Sequence, residues 1–224
     1  MKPLLKICGI TDTETLVEMN AEGLMADQLG FVFAESRRQI EPEQWKRLSY
    51  LIPDKIKAAG VFVNPSLKDI EAVFEAAPLH IVQLHGEETP AFCEQVRNRF
   101  GCVVTKTFSI RENETDRPQA ELSAYVGSMD YMLLDTAVGD RYGGTGKTFD
   151  WKRIAPYLAW SRTHGIPLLV AGGIGADNML DLLERHRPDG IDISSGVETN
   201  GRKDIEKIRR IIERMREYEQ SAVE

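Results

Sequence analysis

The sequence has few cysteines and no long apolar run. Its three cysteines, Cys8, Cys93 and Cys102, have neither zinc-ligand nor redox-motif spacing, and an odd number gives no complete disulfide framework. This cysteine usage favours a reducing cytoplasm. No apolar run approaches the roughly 20 residues that span a membrane, and the opening MKPLLKICGI is too short for a signal peptide before Thr11 and Asp12. We therefore expect a soluble, cytoplasmic protein.

An excess of positive charge is also absent. The 224 residues include 35 acidic and 28 basic side chains, for a formal net charge of -7. Proteins that bind nucleic acid or anionic membranes broadly need concentrated positive charge, so both classes of partner are disfavoured. The short basic cluster at Arg209 and Arg210 is interleaved with Glu206 and Glu213, a pattern typical of a solvated helix face.

Short β-rich apolar runs alternate with amphipathic stretches of helix length, which is the pattern of βαβ units with a parallel sheet. The predicted strands are Leu4–Cys8, Gln28–Phe33, Ala58–Val63, Ile81–Leu84, Val103–Phe108, Tyr131–Asp135, Leu168–Ala171 and Gly190–Ser194. The predicted helices are Asp12–Glu22, Pro42–Leu51, Leu67–Ala76, Pro90–Arg99, Gln119–Val126, Phe149–Arg162, Ala176–Arg185 and Lys203–Glu217.

Eight βα units without a Pro/Gly/Ser linker predict one α/β domain over residues 1–224, a (β/α)8 TIM barrel. An open doubly wound sheet is the structural alternative. Several helix starts support the assignment, because their side chains can cap the exposed amides of a first turn. These predicted caps are Asp12, Ser66, Thr89 and Asp150.

In a parallel barrel the ligand site lies at the carboxyl ends of the strands and in the loops that follow. Three glycine-rich loops occur there, after the sixth, seventh and eighth strands, and small residues let backbone amides approach phosphate oxygens. We therefore predict phosphate binding by Gly144, Thr145, Gly146, Gly172, Gly173, Ser194, Ser195 and Gly196. A nucleotide P-loop at GTGKT is rejected, because Arg141 stands where that motif needs its first glycine.

The motifs, taken together, resemble the phosphoribosylanthranilate isomerase family. The matching segments are KICGIT (6–11), GFVF (30–33), SRR (36–38), GVFVN (60–64), VQLHGEE (82–88), LLDT (133–136), GGTGKTFDW (143–151), AGGI (171–174) and DISSGVE (192–198). They follow in order across nearly the whole chain. The loop after the second strand departs from the family pattern, since only Ala34 and Glu35 precede its serine.

This resemblance implies an Amadori rearrangement in tryptophan biosynthesis, which converts N-(5-phosphoribosyl)anthranilate to 1-(2-carboxyphenylamino)-1-deoxyribulose 5-phosphate. By position in the motifs, Cys8 is the general base, Asp135 the general acid and Arg38 the partner of the anthranilate carboxylate. Gln83 and His85 are candidate supporting residues. The resemblance implies a small phosphoribosyl substrate and neither cofactor nor metal, and it leaves monomer and homodimer open.

The proposed roles place demands on protonation. A free thiol with a pKa near ~8.5 is mostly protonated at neutral pH, so we expect Lys6, two residues away on the same strand face, to stabilise the Cys8 thiolate. Asp135 must instead hold a proton, although a free aspartate has a pKa near ~3.9. We expect desolvation, with Leu133 on the same face, to favour the protonated form.

Two other functions compete with this interpretation. The histidine-pathway isomerase, or a dual-specificity relative, performs the same rearrangement on a substrate with two phosphates. That family has an acidic residue where Cys8 stands, and a second phosphate loop in the first half of the barrel. A noncatalytic sugar-phosphate-binding barrel would be expected to lack the acid or the base. For Cys93 and Cys102 we predict only burial as small apolar side chains.

Overall fold

All eight predicted strands form, and they close into a parallel barrel. The structure is a computed structural model that describes residues 2–111, 119–138, 141–142 and 150–221. In chain order the barrel strands are β1 (Leu4–Cys8), β2 (Gln28–Val32), β3 (Lys57–Phe62), β4 (Ile81–Leu84), β5 (Val103–Arg111), β6 (Tyr131–Val138), β7 (Leu168–Val170) and β8 (Gly190–Ile193). Each pairs in parallel with the next, and β8 pairs with β1, with Lys6 opposite Asp192. The closed barrel is confirmed, and the open sheet is excluded.

Helices follow the strands as predicted. They are α1 (Thr13–Ala21), α2 (Pro42–Ser49), α3 (Leu67–Ala76), α4 (Pro90–Phe100), α5 (Gln119–Ser123), α6 (Ile154–His164), α7 (Met179–His186) and α8 (Ile205–Ser221). The four predicted caps are present: Asp12, Ser66, Thr89 and Asp150 each accept a hydrogen bond from a backbone amide of the turn they begin. Ser66 and Asp69 form a complete capping box, which satisfies two amides reciprocally.

Strands β5 and β6 are longer than predicted. Their backbones stay paired through Arg111 and Ala137, and the end of β6 also pairs antiparallel with a two-residue strand, Arg141–Tyr142. Asp135 therefore does not end its strand, as the sequence pattern suggested, but lies three residues before the end. Four other predicted strand ends, at Phe33, Val63, Ala171 and Ser194, lie one residue beyond the observed ends.

The last predicted helix begins too early. Lys203 belongs to a two-residue strand, Arg202–Lys203, that pairs antiparallel with Glu198–Thr199, and α8 begins at Ile205. The fifth and seventh helices are also shorter than predicted: α5 ends at Ser123, and α7 begins at Met179 because residues 176–178 form turns. Phe149, the predicted start of the sixth helix, lies outside the described residues.

The main apolar core lies between the barrel and the surrounding helices. Alternate residues of one strand face opposite sides, so Leu134 packs in this outer core while Leu133 packs inside the barrel with Leu169 and Ala171. Inside the barrel, above the apolar floor, lie buried polar residues, among them Lys6 and Gln83. Among the described residues, no helix has both the length and the apolarity to cross a membrane. A pocket lined by Gln83 and Asp192 opens from this polar interior at the carboxyl ends of the strands.

Candidate active site

One pocket at the carboxyl ends of the strands collects most of the predicted site residues. Among its lining residues are Cys8, Arg38, Gln83, His85, Asp135, Gly172, Gly173, Ser194 and Ser195. Gly196 lines an adjoining cleft that also contains Gly173 and Ser195. Gly144, Thr145 and Gly146 lie outside the described residues. The candidate base, acid, carboxylate partner and two of the three glycine loops therefore share one cavity.

Cys8 ends β1 as a buried free thiol. The neighbouring strand makes room for it with Gly30, where an added Cβ would lie 2.6 Å from the Cys8 Sγ atom. Gly9 follows with a φ of 84°, a backbone conformation that a residue with a side chain rarely adopts. These two glycines explain why the thiol can reach the pocket from the end of a closely packed strand.

Lys6, the predicted neighbour of the thiol, forms hydrogen bonds with two other side chains. Its Nζ atom donates to Asp192 Oδ2 at 2.6 Å and to Gln83 Oε1 at 2.7 Å. Burial raises the pKa of Cys8; Lys6 opposes that rise, whereas Asp192 adds to it. Burial alone would lower the pKa of Lys6, but its attraction to Asp192 and Cys8 leaves that pKa raised. Lys6 thus favours the thiolate as expected, although the pKa of Cys8 is raised overall because burial outweighs the effect of Lys6.

Asp135 is held from two sides. Its Oδ1 atom accepts a hydrogen bond from the Thr136 backbone amide at 2.7 Å, and its Oδ2 atom lies 3.3 Å from His85 Nε2. The second contact lacks hydrogen-bond alignment, so that in the described part of the chain His85 Nε2 has no hydrogen-bond partner. Leu133 lies two residues before Asp135 on the interior face of β6, as predicted. The carboxyl group therefore sits over an apolar floor with one oxygen facing an imidazole.

The tautomer of His85 follows from its hydrogen-bond partners. Because a lysine can only donate, the 2.7 Å contact from Lys6 assigns the carbonyl oxygen of Gln83 to that side. The Gln83 amide nitrogen then faces His85 Nδ1 at 3.2 Å, which must accept. The neutral ring consequently carries its proton on Nε2, toward Asp135. A buried polar chain thereby links the neighbour of the base to the acid.

The loop that carries His85 is fixed by a buried ion pair. Lys106 Nζ donates to Glu88 Oε2 at 2.9 Å and to the Gly86 carbonyl at 2.6 Å. Glu88 also accepts from the amides of Asn64 and Gly86, at 2.8 and 3.0 Å. Gly86 is required there, because an added Cβ would lie 2.3 Å from Asn64 Oδ1. Sequence analysis assigned no role to Glu88 or Lys106.

Arg38 enters the pocket in a fixed orientation. Its Nε and Nη2 atoms donate to the two carboxylate oxygens of Glu198 at 2.6 and 2.9 Å, which forms a bidentate ion pair. A second side of the pocket is apolar and is formed by Val32, Ala34, Val61 and Val63. An aromatic acid would find both a planar cation and apolar side chains in the lining of this pocket.

The loops after β7 and β8 lie in direct backbone contact. An added Cβ at Gly196 would lie 1.9 Å from the Ile174 carbonyl oxygen, and one at Gly172 would lie 2.1 Å from Thr136 Oγ1. Asn178 braces the first of these loops, since it accepts from the Gly175 amide and donates to the Gly173 carbonyl. The adjoining cleft contains two cations, Lys207 and Arg210. Such a cradle of small residues beside cations suits a phosphate group.

Three functional candidates escaped sequence analysis: Asp192, Glu198 and Lys203. Asp192 lies two residues before Ser194, so alternation along β8 could have placed it on the pocket face. Asp192 lines the pocket, and its buried Oδ1 atom has no hydrogen-bond partner among the described residues. Glu198 contacts Arg38 across 160 positions in sequence, a pairing that no local pattern predicts.

Comparison with known families gives one consistent result. A sequence model of the family described as N-(5'-phosphoribosyl)anthranilate (PRA) isomerase matches residues 5–214. A Brevibacillus brevis protein named N-(5'-phosphoribosyl)anthranilate isomerase is 41% identical over 216 residues, which cover 96% of this chain and 95% of that protein. A Geobacillus thermodenitrificans protein of the same name is 42% identical and covers 96% and 94%.

Solved structures agree with the sequence comparison. The phosphoribosylanthranilate isomerase of Thermotoga maritima has a TM-score of 0.79 at 34% identity, covering 96% of this chain and 99% of that one. A crystal structure of a phosphoribosylanthranilate isomerase in complex with reduced 1-(o-carboxyphenylamino)-1-deoxyribulose 5-phosphate has a TM-score of 0.76 at 31% identity, with the same coverage. The similarity thus extends over nearly the whole chain.

Proposed function

This chain belongs to the phosphoribosylanthranilate isomerase family, and from that premise we propose that its pocket converts N-(5-phosphoribosyl)anthranilate to 1-(2-carboxyphenylamino)-1-deoxyribulose 5-phosphate with Cys8 as base and Asp135 as acid. The observation that carries the proposal is the single pocket that brings Cys8, Asp135 and Arg38 together beside two glycine loops. Within the part of the chain that the structure describes, no observation favours another function.

The acid step suits Asp135. A proton from its carboxyl group passes to the ring oxygen of the ribose as the bond from that oxygen to C1 breaks, which leaves a Schiff base at C1. Asp135 stands over Leu133 with Oδ2 turned toward His85. We assign His85 a supporting role: the proton on its Nε2 atom stabilises the carboxylate that remains after the transfer.

The base step suits Cys8. Its thiolate removes the proton from C2, which converts the Schiff base to an enolamine, and tautomerisation then gives the ketone. Cys8 and Asp135 come from β1 and β6, strands that are not neighbours in the barrel, so they can act on opposite sides of a substrate between them. Lys6 supports the thiolate, and Gln83 holds Lys6 and His85 in their orientations.

Binding contacts fix the substrate relative to this pair. We assign the anthranilate carboxylate to Arg38, whose guanidinium lies beside the apolar side of the pocket. The phosphate is assigned to the loops after β7 and β8, at Gly172, Gly173, Ser194, Ser195 and Gly196, completed by Gly144, Thr145 and Gly146. A substrate anchored at both ends keeps its ribose between Cys8 and Asp135, which lowers the entropy cost of reaction.

A steady-state assay with freshly prepared phosphoribosylanthranilate tests these roles. We expect turnover by the intact protein, and a loss of about 100-fold or more in kcat for Cys8→Ser and for Asp135→Asn. Cys93→Ala is the matched control, because Cys93 is a buried thiol on α4 outside the pocket. Absence of turnover by the intact protein, or undiminished turnover by Asp135→Asn, would refute the proposal.

We further propose that residues 1–224 act as one barrel domain in the cytoplasm, as a monomer or a homodimer. The closed ring of eight strands and the location of both proposed catalytic groups in one pocket of one chain support the assignment of a single domain. Sedimentation velocity of the purified protein distinguishes the two oligomeric states, and a larger species would contradict both.

A further inference from the structure

Lys203 is a buried cation that the proposed mechanism does not use. It lies in the short strand that pairs with Glu198–Thr199, and its side chain is only 1% exposed. Its Nζ atom donates to Glu198 Oε1 at 2.8 Å and to the Ser194 carbonyl at 3.0 Å. Ser194 in turn donates from its hydroxyl to the Cys8 carbonyl at 3.0 Å. Ser194 therefore connects the ammonium group of Lys203 to the backbone of Cys8 at the end of β1.

Glu198 does not neutralise the cations around it. The single carboxylate accepts hydrogen bonds from Arg37, Arg38 and Lys203, so three positive charges share one negative charge. Arg38 also lies over Gly9, where an added Cβ would be 2.4 Å from its Cδ atom. A surplus of positive charge consequently stands directly beside the residue that follows Cys8.

The charges that face Cys8 come from several elements. Lys6 lies on β1 itself, Asp192 lies on β8, and Lys203 approaches from the strand before α8. The β2 neighbour of Cys8 is Gly30, which carries no charge. Lys6 is closely paired with Asp192, and the two have opposite effects on the pKa of Cys8, which Asp192 raises and Lys6 lowers. Lys203, in contrast, shares the Glu198 carboxylate with two arginines. After burial, which raises the pKa of Cys8, both Lys6 and Lys203 act to lower it.

We propose that Lys203 is a positioning residue for the base: its charge stabilises the Cys8 thiolate, and Glu198 holds the ammonium group in place for that role. This inference rests on the proposed function, in which Cys8 removes the C2 proton. Glu198 also orients Arg38, so one carboxylate organises the cation for the substrate carboxylate and the cation for the base. The same cluster therefore serves binding and proton transfer.

The test measures the thiol directly and without substrate. The purified protein is alkylated with iodoacetamide at a series of pH values, and modification of the Cys8 peptide is followed by mass spectrometry. Because the thiolate is the reactive form, the rate rises through the pKa of Cys8. We expect Lys203→Met to move this midpoint to higher pH, with about a tenfold lower rate at pH 7 for each unit of the shift.

Two further variants separate charge from structure. Lys203→Arg keeps the positive charge, so its alkylation midpoint should lie close to that of the parent protein. Arg37→Met is the matched control, because it removes an equal charge from the same carboxylate while Arg37 is half exposed; its midpoint should stay unchanged. The proposal is overturned if Lys203→Met leaves the midpoint in place, or if Arg37→Met moves it equally.

The outcome for Lys203 is distinguishable from the outcome for the proposed function. The rising limb of kcat/KM against pH should move with the alkylation midpoint in Lys203→Met. If the midpoint moves while Cys8→Ser retains turnover, the thiolate is stabilised by Lys203 but is not the base. If Cys8→Ser is inactive and the midpoint is unmoved, the role of Lys203 fails alone.

Discussion

Lys6 and Asp192 face each other from adjacent strands in the interior of the barrel. Both side chains are almost fully buried, and they are joined at 2.6 Å. Removal of one partner from such a pair leaves an uncompensated buried charge, which costs far more than removal of both. The pair therefore has a structural role that is separate from its effect on the Cys8 thiol.

Lys6→Met should lower the free energy of unfolding by about 3–5 kcal/mol, because Asp192 is left charged and unpaired. The double variant Lys6→Met/Asp192→Asn should recover a large part of that loss. Urea denaturation followed by tryptophan fluorescence measures both. A double variant that is no more stable than Lys6→Met would contradict the charge argument.

At individual positions, sequence analysis was most informative where a motif was local. Cys8, Arg38 and Asp135 were assigned to one site by their positions in motifs that resemble the family, and all three line the pocket. The pairing of Arg38 with Glu198, and that of Lys6 with Asp192, joins residues 160 and 186 positions apart. Such contacts form because the barrel closes, so no periodicity or spacing in the sequence predicts them.

Among the secondary-structure elements, the loop after β4 is joined to β5 by a buried ion pair. Lys106 on β5 and Glu88 in this loop are each only 2% exposed. Between α3 and α4, Arg99 and Glu71 form a second ion pair, but both side chains are 40% exposed or more. The two pairs differ in burial and therefore in expected energy, since solvent screens the second pair and not the first.

Lys106→Met should lower the free energy of unfolding by about 3–5 kcal/mol. The matched variant Arg99→Met should lower it by less than about 1 kcal/mol. Lys106→Met should also reduce kcat, because the loop that positions His85 loses its anchor. Chemical denaturation and the steady-state assay provide the two measurements, and equal stabilities of the two variants would argue against a structural role for the buried pair.

The order and type of the elements were predictable, but several ends were not. Caps such as Asp12 and Ser66 mark helix starts by local hydrogen bonding, and both predictions are confirmed. The extensions of β5 and β6 arise from pairing between the two strands. The residues of either strand alone do not indicate this pairing. Lys203 was assigned to α8 because it adjoins an amphipathic stretch, whereas its pairing with Glu198 holds it in a strand.

For the molecule as a whole, alkaline stability should report on the buried thiols. Burial raises the pKa of both Cys93 and Cys102 from 9.0 to about 11, and it also raises that of Cys8. Between these values the unfolded chain has lost the thiol protons that the folded chain retains. The contribution of these thiols to the free energy of unfolding is therefore fully present below about pH 9 and is lost as the pH rises toward 11.

Where a thiol is ionised in the unfolded chain but protonated in the folded one, the free energy of unfolding should fall by about 1.4 kcal/mol per pH unit for that thiol. The free energy of unfolding, measured in urea at intervals from pH 8 to 10, should fall less steeply in Cys93→Ala/Cys102→Ala than in the parent chain, whatever the offset from lost packing. The raised pKa of Lys6 adds its own loss only above its ordinary value of 10.5, outside this range. An identical slope in the two proteins would show that burial of these thiols is not linked to the alkaline loss of stability.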